Sequence, residues 1–194
     1  MRTPATSMIA LQKALRRFRR SRRGSAAIEF AFIAPLFFVL LFAIIETALM
    51  FFAAQVLETG TQDTARLMYT NQAQNIAMSS EDFAKDLCNR VAVLFTCGGP
   101  AGTPQLTIVV KSYAPGTAIP ASDLSDPITG GVFTGKSSYL LPNSGDTVLI
   151  RTFYEWPLFV TQLGYNIANL GRNTSDARRL LAASAAFRVE PNGS

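Results

Sequence analysis

The sequence predicts an α+β fold in which a long N-terminal helix, first transmembrane and then amphipathic, packs on a small antiparallel β-sheet. Three observations predict it. An apolar run fills residues 30–45, a spacing of three and four carries helical character on to about Tyr69, and beyond residue 105 the period shortens to two. At 194 residues the chain has room for one modest domain beside a membrane segment.

The charge is unevenly distributed. Residues 1–24 hold Arg2, Lys13, Arg16, Arg17, Arg19, Arg20, Arg22 and Arg23 and no acid. These are 8 of the 18 basic residues, which leaves 10 against all 13 acids, a net −3 for the rest of a chain whose total is +5. Such an arm can bind nucleic acid, because phosphate contacts need little beyond positive charge. Here it runs straight into the apolar run, which is the positive-inside arrangement of a single-pass protein, so no nucleic-acid partner is expected. Within the arm Met8, Leu11, Leu15 and Phe18 recur at helical spacing among the basic residues. Residues 8–20 therefore read as a basic amphipathic helix for an anionic inner leaflet.

The run at 30–45 is bracketed by Glu29 and Glu46 and contains Pro35, where a mild kink is expected. Its 16 residues cover about 24 Å at about 1.5 Å each, short of a hydrocarbon core of about 30 Å. Apolar residues resume after Glu46, so a span over about 26–52 is long enough, with a carboxylate near each end. Glu46 reads as a marker of the outer interface, or else as a contact to another helix in the bilayer. Leu49, Phe52, Val56, Gly60, Thr64 and Leu67 then form the stripe expected to lie on the soluble domain.

Ser79 and Ser80 precede Glu81 and Asp82 as an N-cap signal, and Phe83, Leu87, Val91 and Leu94 share one face of the helix that follows. Cys88 lies in that helix and Cys97 just after it, before Gly98-Gly99-Pro100. In an oxidising compartment the two form a small local disulfide; the alternative is a pair of reduced, buried thiols. With no histidine in the chain, two cysteines make a poor zinc site, and no metal or other cofactor is expected.

Strands are expected at 106–113, 147–156 and 180–189. In the second, Val148, Ile150, Thr152, Tyr154 and Trp156 alternate with Leu149, Arg151, Phe153 and Glu155. In the third, Ala183, Ala185, Phe187 and Val189 share a face. Residues 114–146, rich in Pro, Gly, Ser, Thr and Asp, read as a long exposed loop with a short hairpin around 131–141. Residues 157–172 read as a short crossover helix.

The function turns on Arg22-Arg23-Gly24-Ser25-Ala26-Ala27-Ile28-Glu29-Phe30. A secretory cleavage site follows its hydrophobic core, whereas this glycine precedes the core at the cytoplasmic face. A cut after Gly24 leaves the hydrophobic helix in place, with Ser25 as its new N-terminus and Glu29 as the fifth residue. From the residues alone Glu29 has two readings. It is an interfacial acid beside Arg22 and Arg23, or it neutralises the free amine of a neighbouring subunit's Ser25 and sets axial register.

Gly24, Ala26, Ala27, Glu29, Phe30, Pro35 and Ala65-Arg66 together resemble the TadE-like pseudopilins of Flp-type (tight adherence) pilus systems, over about residues 22–70. The resemblance implies a pilin-like fold and cleavage between Gly24 and Ser25 by a prepilin peptidase, with Glu29 and Phe30 serving assembly. It implies a structural minor pseudopilin whose partners are the major pilin, other minor pseudopilins, the inner-membrane assembly platform and the lipid bilayer. Residues 1–24 become a cytoplasmic leader, 25–54 a span of a bacterial inner membrane, and 55–194 a periplasmic α+β domain. The chain departs from the family in its Ser25 start and its long, very basic leader.

Two other classes compete. An enzyme is not expected: without histidine no Ser-His-Asp or Cys-His arrangement forms, no phosphate-binding loop is present, and Lys85, Lys111 and Lys136 sit in no motif. An uncleaved, membrane-anchored binding or sensor module would instead keep its first 24 residues. Asn192-Gly193-Ser194 has the form of a glycosylation sequon and, in a bacterial envelope, is read as chance.

Overall fold

A computed structural model of the protein describes residues 25–97, 106–163, 165–172 and 174–191. The amphipathic helix expected at 8–20, Gly24, the Gly98-Gly99-Pro100 break and the sequon lie outside the described residues. The chain divides into two units, residues 1–44 and 45–194.

In the first unit the described residues belong to helix α1, Ser25–Tyr69, which continues through Pro35. Ile28, Phe30, Phe32, Ile33, Leu36 and Leu40 are among the large side chains it exposes. The helix is long and apolar enough to cross a membrane: an 18-residue window has mean hydropathy 2.7 and none of it is buried. It is a candidate membrane anchor.

The second unit holds the core. The rest of α1 is followed by a short turn of helix, α2 (Gln72–Asn75), then α3 (Ser80–Val91), β1 (Thr107–Tyr113), the turn α4 (Ala121–Leu124), β2 (Ile128–Thr129), β3 (Val132–Phe133), β4 (Thr147–Pro157), a 3-10 turn (Val160–Leu163) and β5 (Arg178–Arg188). The main sheet has the order β1-β4-β5 and is antiparallel throughout. All three expected strands are therefore present, within two residues of the expected ends. Ser79 caps α3 as its sequence signals, accepting from the Asp82 N–H at 3.1 Å.

One face of β4 carries Val148, Ile150, Thr152 and Tyr154, all buried. It packs on Ala53, Leu57, Ala65 and Met68 of α1 and on Phe83, Leu87 and Val91 of α3. Burying a Leu or Phe side chain fully is worth about 1.5–3 kcal/mol, so this seam is the main source of the domain's stability. The buried stripe of α1 is rotated from the expected one. Leu49 and Phe52 are exposed and Val56 and Leu67 are only partly buried, while Ala53, Leu57, Thr61, Ala65 and Met68 join Gly60 and Thr64 inside. The reason is steric: small residues let backbones approach. A Cβ on Gly60 would stand 2.5 Å from Val91 Cγ1, so the glycine makes room for α3 against α1.

The other face of β4 is also covered, by parts of residues 114–146, a segment that is otherwise the mostly exposed loop expected. Phe153 packs with Leu170 and Leu180, and Ile128 and Phe133 lie against them. Arg151, 8% exposed, donates to Asp123 O at 3.2 Å, Ser125 O at 2.5 Å and Asp126 Oδ1 at 2.7 Å, with its guanidinium 4.7 Å from the Phe153 ring centroid. A composition that suits loops thus folds back over the sheet because a buried cation on β4 needs those oxygens. The hairpin in this segment pairs β2 with β3 through Gly130 and Gly131, at φ 59° and 76°, earlier than the expected 131–141. Residues 138–140 instead run beside β1, with Val110 N–H donating to Ser138 O at 2.8 Å.

Among the described residues of 157–172 no crossover helix forms, and the helical piece is the 3-10 turn Val160–Leu163. β4 and β5 are antiparallel neighbours, and such a pair needs no crossover.

Candidate functional site

The residues singled out by the sequence fall in three places. Gly24 lies outside the described residues, and Ser25 is the first described residue of α1. Glu29 and Phe30 follow one turn later, both on exposed helix surface and among the large apolar side chains already named. A helix exposing apolar side chains on every face is what lipid or neighbouring helices accommodate and water does not.

Cys88 and Cys97 are joined in a disulfide, with Cα atoms 5.9 Å apart. The bridge ties α3 to the segment after it, where Phe95 packs edge-on against Tyr154 with ring centroids 4.8 Å apart. The cystine thereby holds an aromatic contact between the end of α3 and the central strand.

Glu46 has partners that neither expected reading includes. It is 6% exposed, the one buried residue between Ala26 and Phe52. Its carboxylate accepts from the backbone N–H groups of Phe159 and Val160, the latter at 3.2 and 3.3 Å. On the next residue of α1, the Thr47 hydroxyl meets Tyr165 Oη at 3.2 Å. The acid is thus a latch within its own domain, gripping the β4–β5 connection. Sequence reasoning marked the residue because an acid interrupts an apolar run. Its partners are main-chain donors 113 and 114 positions away, which no side-chain motif announces.

A second polar cluster lies beneath residues 114–126. Lys111 Nζ and Tyr113 Oη both donate to the Asp123 carboxylate, each at 2.6 Å. The Lys111 hydrogen bond, helped by that from Tyr113, lowers the Asp123 pKa below the ordinary carboxylate value. Burial, followed by the bond to Asp123, pushes the Tyr113 phenol up to about 12. Both shifts mark a latch that works at neutral pH.

Shallow grooves indent the domain. One, of about 410 Å³, is lined by Ser80, Glu81, Ile108, Ser138 and Tyr139 among others. Another, of about 380 Å³, follows the α1–α3 seam past Phe52, Val56, Gly60, Asp63 and Arg90. Among the described residues no group of three His, Cys, Asp or Glu side chains is placed to hold a metal ion.

Residues 24–66 match the model of a family described as TadE-like protein. The matched segment begins at the glycine of the proposed cut and ends at the Ala65-Arg66 pair. It covers the candidate span and most of α1 beyond it. No curated protein and no solved structure matches the chain.

Proposed function

We propose, from the TadE-like character of residues 24–66, that the protein is a minor pseudopilin acting in assembly of Flp-type (tight adherence) pili. One observation carries the reading: the matched segment coincides with a helix whose large apolar side chains are exposed along its first half. That surface first takes lipid. It later takes neighbouring pilin helices, because packing and polar pairing replace lipid contacts at little cost.

A prepilin peptidase cuts between Gly24 and Ser25 on the cytoplasmic side of an inner membrane, and the α+β domain stands in the periplasm. Glu29 then pairs with the free amine of a neighbouring subunit's Ser25, and Phe30 packs beside it, so that register is set where an unpaired charge would be costly. The chemistry is done on this chain and not by it. The partners are the peptidase, the major pilin, other minor pseudopilins and the assembly platform.

N-terminal sequencing of the protein from its native, pilus-forming host is the test. A chain beginning at Ser25 supports processing; a chain that keeps its first 24 residues sinks it and favours an uncleaved, membrane-anchored module. Gly24→Leu should block maturation, whereas Glu29→Ala should be cut normally and impair pilus assembly. Normal piliation in cells lacking the protein would remove the assembly role.

A further inference from the structure

We infer that the β4–β5 connection is a membrane-contacting wedge, with Phe159 inserted into the outer lipid interface and Glu46 holding it there. The inference rests on reading the first half of α1 as a membrane span. At about 1.5 Å per residue, a hydrocarbon core of about 30 Å takes about 20 residues. A span that begins at Phe30 therefore reaches its outer boundary near Leu49, and Glu46 falls about one turn inside it. Exposed apolar side chains do continue past Glu46, at Leu49, Phe51 and Phe52.

A carboxylate at that depth is costly unless it is satisfied. Glu46 is satisfied, by the main-chain N–H groups of Phe159 and Val160. Those donors must share its depth, so the connection that supplies them reaches the same level. Its two adjacent side chains part company there: Val160 is 6% exposed and packs inward, whereas Phe159 is 76% exposed. An outward phenylalanine at the edge of the hydrocarbon meets lipid. The neighbouring strand ends suit an interface as well, since Trp156 stands opposite Arg179 in the β4–β5 register.

The full chain in phosphatidylethanolamine–phosphatidylglycerol vesicles tests this. Both native cysteines are in the disulfide, so an introduced cysteine is a unique thiol for a nitroxide label. Labels go at Phe159→Cys, at Leu40→Cys within the span, and at Ile76→Cys, an exposed site beyond the far end of α1. Collision rates with oxygen, which partitions into lipid, and with a water-soluble nickel chelate are compared. We expect the oxygen-to-nickel ratio at 159 to be several-fold above that at 76, and to drop when Glu46→Ala is added.

A ratio at 159 equal to that at 76 overturns the inference. Shielding from both reagents does so too, because it would mean that a protein partner covers Phe159. A label at 40 that collides freely with the nickel chelate would overturn the span reading, and this inference with it. An unchanged ratio at 159 after Glu46→Ala would remove Glu46 from the role of tether.

Discussion

Thr61 Oγ1 and Thr152 Oγ1 lie 2.7 Å apart, both buried, joining α1 to the central strand. The pair is unequal. The Thr61 hydroxyl also donates to Leu57 O at 2.8 Å, so Thr152 is the donor between the two and Thr61 the acceptor. Thr61→Val leaves the Thr152 hydroxyl buried without its partner, at about 1–3 kcal/mol, whereas Thr152→Val leaves Thr61 its bond to the helix and costs about 0.5–1.5 kcal/mol. Denaturant unfolding of the detergent-solubilised chain should rank Thr61→Val as the more damaging. Equal losses would mean that the hydroxyls exchange donor and acceptor roles.

Gly60 packs directly against Val91 of α3. Gly60→Ala should destabilise the domain by about 1–3 kcal/mol, even though alanine favours helix, because the new methyl meets Val91 Cγ1 at 2.5 Å. Adding Val91→Ala should recover part of that loss, as a double-mutant cycle would measure. Simple additivity would show that Val91 is not the obstacle.

The Cys88–Cys97 bridge closes a loop with a sequence separation of 9. In the chain-entropy view a loop of this size contributes about 2–3 kcal/mol by restricting the unfolded chain. Cys88→Ala with Cys97→Ala should lower the unfolding free energy by about that amount. The Phe95–Tyr154 contact should loosen first, seen as a loss of near-ultraviolet aromatic dichroism. A doubly substituted domain as stable as the native one would show that packing of Phe95 alone holds the segment.

The sequence makes plain whatever repeats along the chain. The span, the Ser79 cap, the α3 face built on Phe83, Leu87 and Val91, and the three main strands all express a local period or a capping residue. The two cysteines could be paired because they are the only ones. What sequence hides is pairing at long range. The α1 stripe was displaced because small residues look neutral in a hydrophobic pattern, although Ala53, Gly60 and Ala65 are the ones that allow close approach. The cover over β4 was hidden because its attachment depends on Arg151 meeting main-chain oxygens of Asp123 and Ser125, which any residue would supply. Glu46 was visible as an anomaly and illegible as a latch for the same reason. The proposed processing motif is the reverse case. It is read from residue order around Gly24 and owes nothing to tertiary structure.

The Asp123 cluster gives the domain a pH dependence whose sign is fixed at both ends. Asp123 is held below the ordinary carboxylate pKa, first by the Lys111 hydrogen bond and then by that from Tyr113. Its contribution to stability is therefore present above the unfolded carboxyl pKa and is lost as pH falls through the lowered folded value. Tyr113 is raised to about 12, so its contribution is complete below the unfolded phenol pKa of about 10 and fades as pH climbs toward 12. Ultraviolet titration of tyrosinate should show a phenol ionising near 12 that is lost in Tyr113→Phe. Asp123→Asn should bring that phenol down only part of the way, because burial is the larger cause and the hydrogen bond the smaller. A full return to the ordinary phenol value would make the carboxylate dominant and reverse that order. No change would mean that Asp123 does not accept from Tyr113 in solution, and that Lys111 and Arg151 hold residues 123–126 over the sheet without it.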